Sequence, residues 1–294
     1  MTDLSILIPT YNQEQYIAQT IQSIENQNIQ CSYEVLIGDD YSTDSTVDMI
    51  YKSLKNLSLS KNYHVFINNK NYGGLRNIQN LLNHAKGQFF IILEGDDFWL
   101  KSDGINQAVE LLKNKKDIGL VGLAYTVYKG NRHTKNIQQP LRSKKITQSS
   151  IAFGHFLHLG ASVVRKSMFN TLPESFIGLP IGDYPIFWSI LERSNGYFLN
   201  EKTMAYRIND NGIWSLKDRN YKVLNTIKTL DFMIQEFNAS TARNILKIYR
   251  NYLQIISKQK VKNNLSKLII FVKMIVNPQI FCVYVFIKLR NKYL

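Results

Sequence analysis

Short apolar runs alternate with amphipathic segments along the first hundred residues of the chain. The runs lie at 4–8, 33–37, 63–67 and 89–93, and each has the length of a buried strand. Between them, apolar side chains recur at helical spacing, over 14–27, from Ser42 or Asp44 to about 57, and from Gly73-Gly74 to 85. Strands that alternate with helices predict an α/β fold, an open parallel sheet with helices on both faces.

The pattern after residue 100 is less regular. It predicts strands at 118–128, 161–165 and 197–208, and a helix at 182–193. Residues 129–150 are polar and basic, and we expect them to form a loop that borders a site. Beyond Lys217 the pattern is helical to the end of the chain.

The positive charge is concentrated in the last quarter of the chain. The net charge of the 294 residues is +14, and 217–294 supply +12 of it, with 15 Lys or Arg against three acids. The apolar runs in this region, 268–272 and 280–287, are shorter than the roughly 20 residues that span a bilayer. We expect amphipathic helices that contact an anionic membrane surface. The alternative is a helical subdomain that packs on the core or on a second subunit.

Composition excludes several classes of protein. A hydrophobic fraction of 45% excludes a wholly disordered chain. Two distant cysteines, Cys31 and Cys282, cannot form a disulfide framework, which favours a reducing compartment. No charged-then-apolar leader precedes the first strand, which argues against secretion by a signal peptide. We therefore expect a cytoplasmic enzyme or binding protein.

Acidic residues follow two of the predicted strands. Asp39-Asp40 comes after the second strand, and Glu94-Gly95-Asp96-Asp97 comes after the fourth. Ligands of parallel sheets bind at the carboxyl ends of the strands, so these are candidate ligand groups. The first pair could accept hydrogen bonds from a nucleobase and a ribose, and the second group could bind Mg²⁺ or Mn²⁺. Helix capping and a polar turn are the respective structural alternatives.

Three further features are weaker in isolation. Asp183 begins an apolar helical stretch, where it could be a helix cap or a catalytic base. Arg76 lies in the first helical turn after Gly73-Gly74, a place that favours phosphate. His155 and His158 have a spacing that could chelate a metal, although a surface or core role is more common for such a pair. A cysteine cluster, a nucleophilic serine motif and a Walker-type loop are all absent from the sequence.

Together, these segments resemble the family 2 glycosyltransferases in order and spacing. The resemblance is carried by Pro9-Thr10-Tyr11-Asn12, Asp39-Asp40 with Ser42-Thr43-Asp44, Asn71 to Arg76-Asn77, Glu94-Gly95-Asp96-Asp97, and Gly182-Asp183 with Phe187-Trp188 and Tyr206-Arg207. It implies a GT-A (Rossmann-like) nucleotide-diphospho-sugar transferase domain over 1–216. The nucleotide-binding half would be 1–100 and the acceptor half 101–216, followed by the basic helical extension 217–294.

The resemblance also implies a role for individual residues. The donor nucleotide would be bound by Pro9, Thr10, Tyr11, Asn12, Asp39, Asp40, Arg76 and Asp96. The metal would be bound by Asp97 with Asp96, and Asp183 would be the catalytic base, although the more frequent Glu-Asp pair is Gly-Asp here. Many members carry a histidine after Tyr206-Arg207, and here Asn209 stands nearby as a candidate ligand. The acceptor or lid residues would be Trp188, Tyr206, Arg207 and Trp214.

The implied activity is inverting transfer of a sugar from a nucleotide-diphosphate donor, with a UDP-sugar as first choice. The acceptor would be a hydroxyl of a glycan or lipid-linked glycan in bacterial surface polysaccharide synthesis. The cofactor would be a divalent cation, Mn²⁺ or Mg²⁺. The protein would be cytoplasmic and bind peripherally to the inner face of the membrane. An oligomer is possible.

Three other functions remain in view. A nucleotidyltransferase would need a glycine-rich loop where Pro9 to Gln13 stand. A nucleic-acid-binding protein would use the basic extension but would leave the strand-end acids unexplained. A catalytically silent scaffold on the same fold is supported by Gly182 and Asn209, the departures from the family pattern.

Overall fold

The chain divides into two compact units, Met1–Asp218 and Arg219–Leu294. The computed structural model describes residues 2–55, 57, 60–129, 132–135, 139–152, 156–169, 174–179, 181–209, 218–238, 240–242, 244–246 and 248. The second unit begins with a helix at Arg219–Glu236 (α7). The other helices and all the strands that the structure describes belong to the first unit.

The first part of the sheet is parallel. It consists of β1 (Leu4–Thr10), β2 (Tyr33–Asp39), β3 (Tyr63–Ile67) and β4 (Phe89–Ile92) in the order β3-β2-β1-β4. Every side chain of β1 is buried, as expected for a strand that is covered on both faces. The register pairs Thr10 with Asp39, so β1 and β2 end side by side. This alignment places the loops after these two strands next to each other.

Four helices connect these strands and continue beyond them. They are α1 (Ile17–Glu25), α2 (Thr46–Lys55), α3 (Gly74–His84) and α4 (Gly104–Asn114). In α1 the buried apolar positions recur at the spacing of one helix face, which packs on the sheet. The start of α2 is held by Asp44, whose Oδ1 accepts from the Thr46 amide at 3.0 Å. The four strands and the three intervening helices predicted from periodicity are confirmed, with ends that differ by a few residues.

The second part of the sheet is mixed. Its elements are β5 (Phe98–Trp99), β6 (Ile118–Lys129), β7 (Arg132–Lys135), β8 (Lys144–Ile146), α5 (Gln148–Ala152), β9 (Ser162–Arg165), α6 (Asp183–Leu191) and β10 (Asn195–Ile208). Strand β9 runs antiparallel to both β4 and β6, and β10 runs parallel to β6. The main order is β3-β2-β1-β4-β9-β6-β10-β5, with β7 on β6 and β8 on β10. The parallel sheet predicted from the first four strands therefore continues into a mixed half.

The prediction that residues 129–150 form a loop is wrong in part. It contains β7, β8 and the short helix α5. Both strands are polar and only three or four residues long, so they lack the apolar alternation by which a strand is recognised. They form because β6 and β10 offer them a partner, which is information that local sequence does not hold.

Within the described residues, no helix combines the length and the apolarity that crossing a membrane requires. The two apolar runs at 268–272 and 280–287 lie outside those residues, as do Trp214 and Cys282. Membrane contact through 217–294 therefore stays a prediction.

Candidate active site

A cavity of about 620 Å³ lies at the carboxyl ends of β1, β2 and β4. This volume is within the usual range of small-molecule sites. Its walls are the loop after β1, Asp40 after β2, the start of α3, the acidic loop after β4 and the end of β10. The lining residues are Pro9, Thr10, Tyr11, Asn12, Gln13, Tyr16, Asp40, Asn71, Gly73, Gly74, Asn77, Ile78, Glu94, Asp96, Tyr206, Arg207 and Asn209.

Asp40 shapes the cavity wall that leads into α3. Its Oδ1 accepts hydrogen bonds from the Tyr72 amide and the Asn68 side chain, both at 2.9 Å, and its Oδ2 accepts from the Gly73 amide at 2.8 Å. Gly73 has a φ of 89°, which a side chain would strain. The carboxylate therefore fixes the glycine turn through which the chain enters α3.

Asp39 faces away from the cavity. It is fully buried, and its two oxygens accept from the Ser42 amide at 2.8 Å and the Ser42 hydroxyl at 2.5 Å. The turn that follows includes Tyr41 at a φ of 67°. Of the two aspartates predicted to bind the nucleotide, the structure thus places only Asp40 at the cavity.

The loop after β1 is tied to the loop after β2 by reciprocal hydrogen bonds. The Asn12 amide donates to the Ser42 hydroxyl at 2.9 Å, and the Asn12 side chain accepts from the Thr43 amide at 2.8 Å. The Gln13 amide donates to the Thr46 hydroxyl at 2.7 Å. Tyr11 sits on this braced loop as a partly exposed aromatic side chain at the cavity wall, which is a suitable surface for a flat base.

The acidic loop after β4 presents two carboxylates to the cavity, those of Glu94 and Asp96. Asp96 Oδ2 accepts from the Asn209 side-chain amide at 2.7 Å, so these two predicted residues are brought together. Between the acids, a Cβ on Gly95 would collide with side-chain oxygens of Thr10 and Gln13. Only glycine fits where this loop passes the loop after β1.

Asp97 is turned into the protein beneath the loop. Its side chain is fully buried and does not line the cavity, and its Oδ1 accepts from the Arg207 backbone amide at 2.8 Å. Asp96, and not Asp97, is therefore the aspartate that the structure presents to a ligand in the cavity.

Arg207 braces the acidic loop. Its Nε donates to the Asp96 carbonyl oxygen and its Nη2 donates to the Gln19 side chain, both at 2.8 Å. The guanidinium lies over the Tyr16 and Phe98 rings, 4.7 and 5.0 Å from their centroids. Burial lowers the pKa of Arg207, while the neighbouring Asp97 and Asp96 carboxylates oppose that shift. The contacts indicate a supporting role for a residue that was predicted to bind the acceptor or form a lid.

Asp183 is the first residue of α6, and its Oδ1 accepts from the Tyr184 amide at 2.9 Å. It is partly exposed, and its charge helps to raise the pKa of Glu94 and of Tyr125. Asp183 therefore interacts electrostatically with Glu94 of the acidic loop. At Gly182 a Cβ would lie 2.7 Å from Leu75 Cδ2, so α6 packs on α3 too closely for a larger residue.

Besides Asp39 and Asp97, two further predicted site residues lie away from the cavity. Arg76 forms an ion pair with Glu174 and is not among the residues that line the cavity. Trp188 is a fully buried core residue of α6, where it cannot touch an acceptor. Tyr206, which was predicted to contact the acceptor or form a lid, lines the cavity.

The sequence favoured a surface or core role for His158, but the structure places this residue beside the acidic loop. One ligand atom from each of Glu94, Asp97 and His158 lies within 4.8 Å of the others. His158 precedes β9, which neighbours β4 in the sheet, and no spacing in the sequence reveals that neighbour. In the sequence, the spacing of His155 and His158 was the one feature that indicated a possible metal-binding role.

The carboxylates of the acidic loop crowd one another. Burial, followed by the charges of Asp96 and Asp183, raises the pKa of Glu94 to about 8. Burial also raises the pKa of Asp96 and, together with Asp96 and Glu94, raises that of Asp97 well above its usual range. Such a cluster favours a counter-charge. Among the described residues, the grouped ligand atoms of Glu94, Asp97 and His158 could hold a metal ion. The carboxylate oxygens of Glu94 and Asp96, which line the cavity, are of the type that a hard divalent cation such as Mn²⁺ or Mg²⁺ prefers.

This crowding predicts how stability depends on pH. Glu94 has a raised pKa when folded and an ordinary value of 4.5 when unfolded, so the unfolded chain releases a proton that the folded protein retains. Without divalent cations, the melting temperature should therefore fall as the pH rises from 5.5 to 8.5. Differential scanning fluorimetry at both pH values measures the fall.

Glu94→Gln is the matched control, because it removes the titrating group while keeping the shape. Its melting temperature should vary less across the same pH range, and a saturating divalent cation should flatten the profile of the wild type. A melting temperature that climbs with pH, or an equal slope in Glu94→Gln, would contradict the assignment.

The sheet has a parallel half and a mixed half, and an acidic loop lines a cavity beside the strand ends. This is the arrangement of GT-A glycosyltransferases. The sequence profile described as Glycosyl transferase family 2 matches residues 5–172, which is more than half of the chain. The chain belongs to that family.

Several relatives carry the names of glycosyltransferases. The beta-1,3-glucosyltransferase WfgD of Escherichia coli is 27% identical over 222 residues, which are 74% of this chain and 82% of WfgD. Its name gives UDP-Glc as the donor and a GlcNAc-diphosphoundecaprenol as the acceptor. Uncharacterised proteins of Mycobacterium tuberculosis are 24% identical over 216 residues, and the match covers 72% of this chain but only 60% of theirs.

Solved structures share the fold at low sequence identity. Residues 1–349 of Staphylococcus aureus TarS in complex with UDP-GlcNAc superpose with a TM-score of 0.65 at 17% identity, covering 86% of this chain and 72% of that chain. The mannosyltransferase PcManGT from Pyrobaculum calidifontis, in complex with GDP-Man and Mn²⁺, gives 0.59 at 12% identity, covering 95% and 82%. These likenesses show the GT-A fold.

Proposed function

We propose that the protein transfers a sugar from a nucleoside-diphosphate donor to a hydroxyl of a glycan or lipid-linked acceptor. One observation carries this function: a single cavity joins Tyr11 and Asp40, on the side suited to a base, with Glu94, Asp96 and Asn209, on the side suited to a cation and a diphosphate. A site that bound only a nucleobase would not need the acidic residues. A site that bound only a cation would not need Tyr11.

A UDP-sugar is the proposed donor. The family resemblance assigns Asp40 to the ring N–H of the base, and uracil offers such a donor. WfgD, by its name, uses UDP-Glc, and the TarS structure contains UDP-GlcNAc, which supports the same class of nucleotide. Tyr11 stacks on the base, and the braced loops after β1 and β2 hold that ring in place.

The proposed reaction is a single displacement with inversion. The oxygen of the acceptor hydroxyl bonds to the anomeric carbon while Asp183 takes the proton of that hydroxyl. The bond from the anomeric carbon to the diphosphate breaks on the opposite face. Asp96 and Glu94, with Asn209 beside them, would hold a divalent cation, which would supply positive charge against the negative charge that develops on the diphosphate. Arg207 keeps Asp96 in position through the Asp96 carbonyl oxygen.

The proposed acceptor is a lipid-linked or polymeric glycan of a bacterial surface polysaccharide. WfgD supports it, because its named acceptor carries a diphosphoundecaprenol. A cytoplasmic protein held at the inner membrane face by the basic region 217–294 would reach such an acceptor. Sedimentation with vesicles tests this placement: binding should require anionic lipid and should weaken as salt increases.

Donor binding is the most direct test of the proposed activity. The melting temperature is measured with UDP, GDP, CDP and ADP, each with and without Mn²⁺. UDP with Mn²⁺ should raise it most, and at a hundredfold excess over Kd it should add about 2.7 kcal/mol to the free energy of unfolding. Mn²⁺ alone and UDP alone should give smaller shifts, because each lacks a partner at the site. If no diphosphate produces a shift, the proposed function is wrong.

A further inference from the structure

One carboxylate oxygen of the acidic loop is buried without a hydrogen-bond partner among the described residues. It is Asp97 Oδ2, whose partner oxygen already accepts from the Arg207 amide at 2.8 Å. A buried, unpaired polar atom costs about 1–3 kcal/mol, and more when it is charged. An oxygen in this position needs a donor or a cation.

His158 faces this oxygen. Its Nε2 is 3.8 Å from Asp97 Oδ2, and its side chain is 14% exposed. The ring lies between those of Tyr125 and Tyr206, with centroid distances of 5.1 and 5.0 Å. Tyr206 lines the cavity, so His158 stands one side chain behind the cavity wall.

The other ring nitrogen indicates which proton the imidazole carries. The Gly160 amide donates to His158 Nδ1 at 3.2 Å, so Nδ1 uses its lone pair and carries no proton. In a neutral imidazole the proton is then on Nε2, the atom that faces Asp97. A metal ligand would need a lone pair at Nε2, whereas a hydrogen-bond donor needs the N–H that is there.

We propose that His158 is a positioning residue, which donates its Nε2–H to Asp97 and so holds the acidic loop in the form that binds the cation and the diphosphate. The connection continues through Arg207, whose backbone amide binds Asp97 and whose Nε binds the Asp96 carbonyl oxygen. The present 3.8 Å is too long for a hydrogen bond, and the proposed role requires the two atoms to approach to about 3 Å in the ligand-bound form. This inference rests on the proposed function.

Two substitutions separate the N–H from the ring. His158→Gln keeps a donor near the position of Nε2 but loses the ring, and His158→Phe keeps a ring between the two tyrosines but loses the donor. The readout is the Mn²⁺ concentration that gives half of the UDP-dependent rise in melting temperature. Loss of such a supporting hydrogen bond typically weakens metal affinity by about 10–100-fold. His158→Phe should therefore need at least tenfold more Mn²⁺, and His158→Gln should stay within threefold of the wild type.

Two further variants complete the experiment. His64→Phe, at an exposed position of β3, should behave as the wild type. His158→Asn carries an amide too short to reach Asp97, so it should resemble His158→Phe, and it replaces that variant if the latter does not fold. A purely structural role would lower the ligand-free melting temperature without changing the Mn²⁺ requirement.

The outcomes are distinct. If His158→Phe matches the wild type, His158 has no positioning role. If His158→Gln is as impaired as His158→Phe, the imidazole itself is required, as a ligand or by packing, and the inference is wrong. If the wild type shows no Mn²⁺-dependent response to UDP, the proposed function fails and this inference fails with it.

Discussion

Asp183→Asn should lower turnover by about a thousandfold, because a positioned general base contributes about 10²–10⁴ to the rate. The amide has the shape of the carboxylate but cannot take the acceptor proton. Asp183 begins α6 and is partly exposed, so the substitution should leave the fold intact. The measurement is the release of UDP from UDP-GlcNAc and UDP-Glc in the presence of Mn²⁺, where water replaces the acceptor.

Donor affinity is the comparison that gives this result its meaning. The UDP-dependent rise in melting temperature should persist in Asp183→Asn, because Asp183 is not among the residues that line the cavity proposed to bind the donor. Asp117→Asn, an exposed aspartate just before β6, is the matched control and should keep full turnover. Retained turnover in Asp183→Asn would remove Asp183 from the role of base, and a loss of UDP binding would show that it acts on the donor instead.

Hydrophobic periodicity predicted the first half of the fold well, and the reason is physical. Strands such as β1 (Leu4–Thr10) are buried on both faces and are separated by glycine or polar turns, so each leaves a distinct pattern. The edge strand β8 has only one buried position and leaves none. Strand β9 was found, but its antiparallel direction depends on where it pairs, which local sequence does not encode.

The sequence predicted that the acidic residues at the ends of different strands would come together, because the carboxyl ends of parallel strands lie at one edge of the sheet. Asp40 and Asp96, at the ends of different strands, do line one cavity. Within each acidic pair, however, sequence could not tell which member faces the ligand. Asp39 ends strand β2 whereas Asp96 lies in a turn, and local sequence does not show which way each backbone directs its side chains. In each pair one residue lines the cavity while the other accepts hydrogen bonds from the surrounding protein.

The departure at Gly182 also has a physical explanation. Many family members have Glu at this position, and the glycine raised the alternative of a silent scaffold. In the structure, Leu75 fills the space that a Cβ at 182 would occupy. Close packing of α6 on α3 therefore gives a structural reason for the glycine, and Asp183 is the first residue of α6.

Asp96→Asn should weaken the Mn²⁺-dependent affinity for UDP by about a hundredfold, or about 2.7 kcal/mol. The reason is geometric: Asp96 presents its carboxylate to the cavity beside Asn209, and an amide removes a charge from a site suited to a cation. Titration of UDP at fixed Mn²⁺, followed by the melting temperature or by calorimetry, measures the loss. The unliganded melting temperature should not fall, because the substitution relieves repulsion among crowded acids.

Asp97→Asn is the informative partner of this variant, since sequence alone gave Asp97 the leading role at the metal. Its side chain is buried, and the amide oxygen can still accept from the Arg207 backbone, so the loss of UDP affinity should be only about tenfold. That remaining loss reflects a loosened acidic loop. If Asp97→Asn instead abolished Mn²⁺-dependent UDP binding while Asp96→Asn retained it, Asp97 would be the ligand. The acidic loop would then have to turn over on binding, since it now directs Asp97 inward and Asp96 into the cavity.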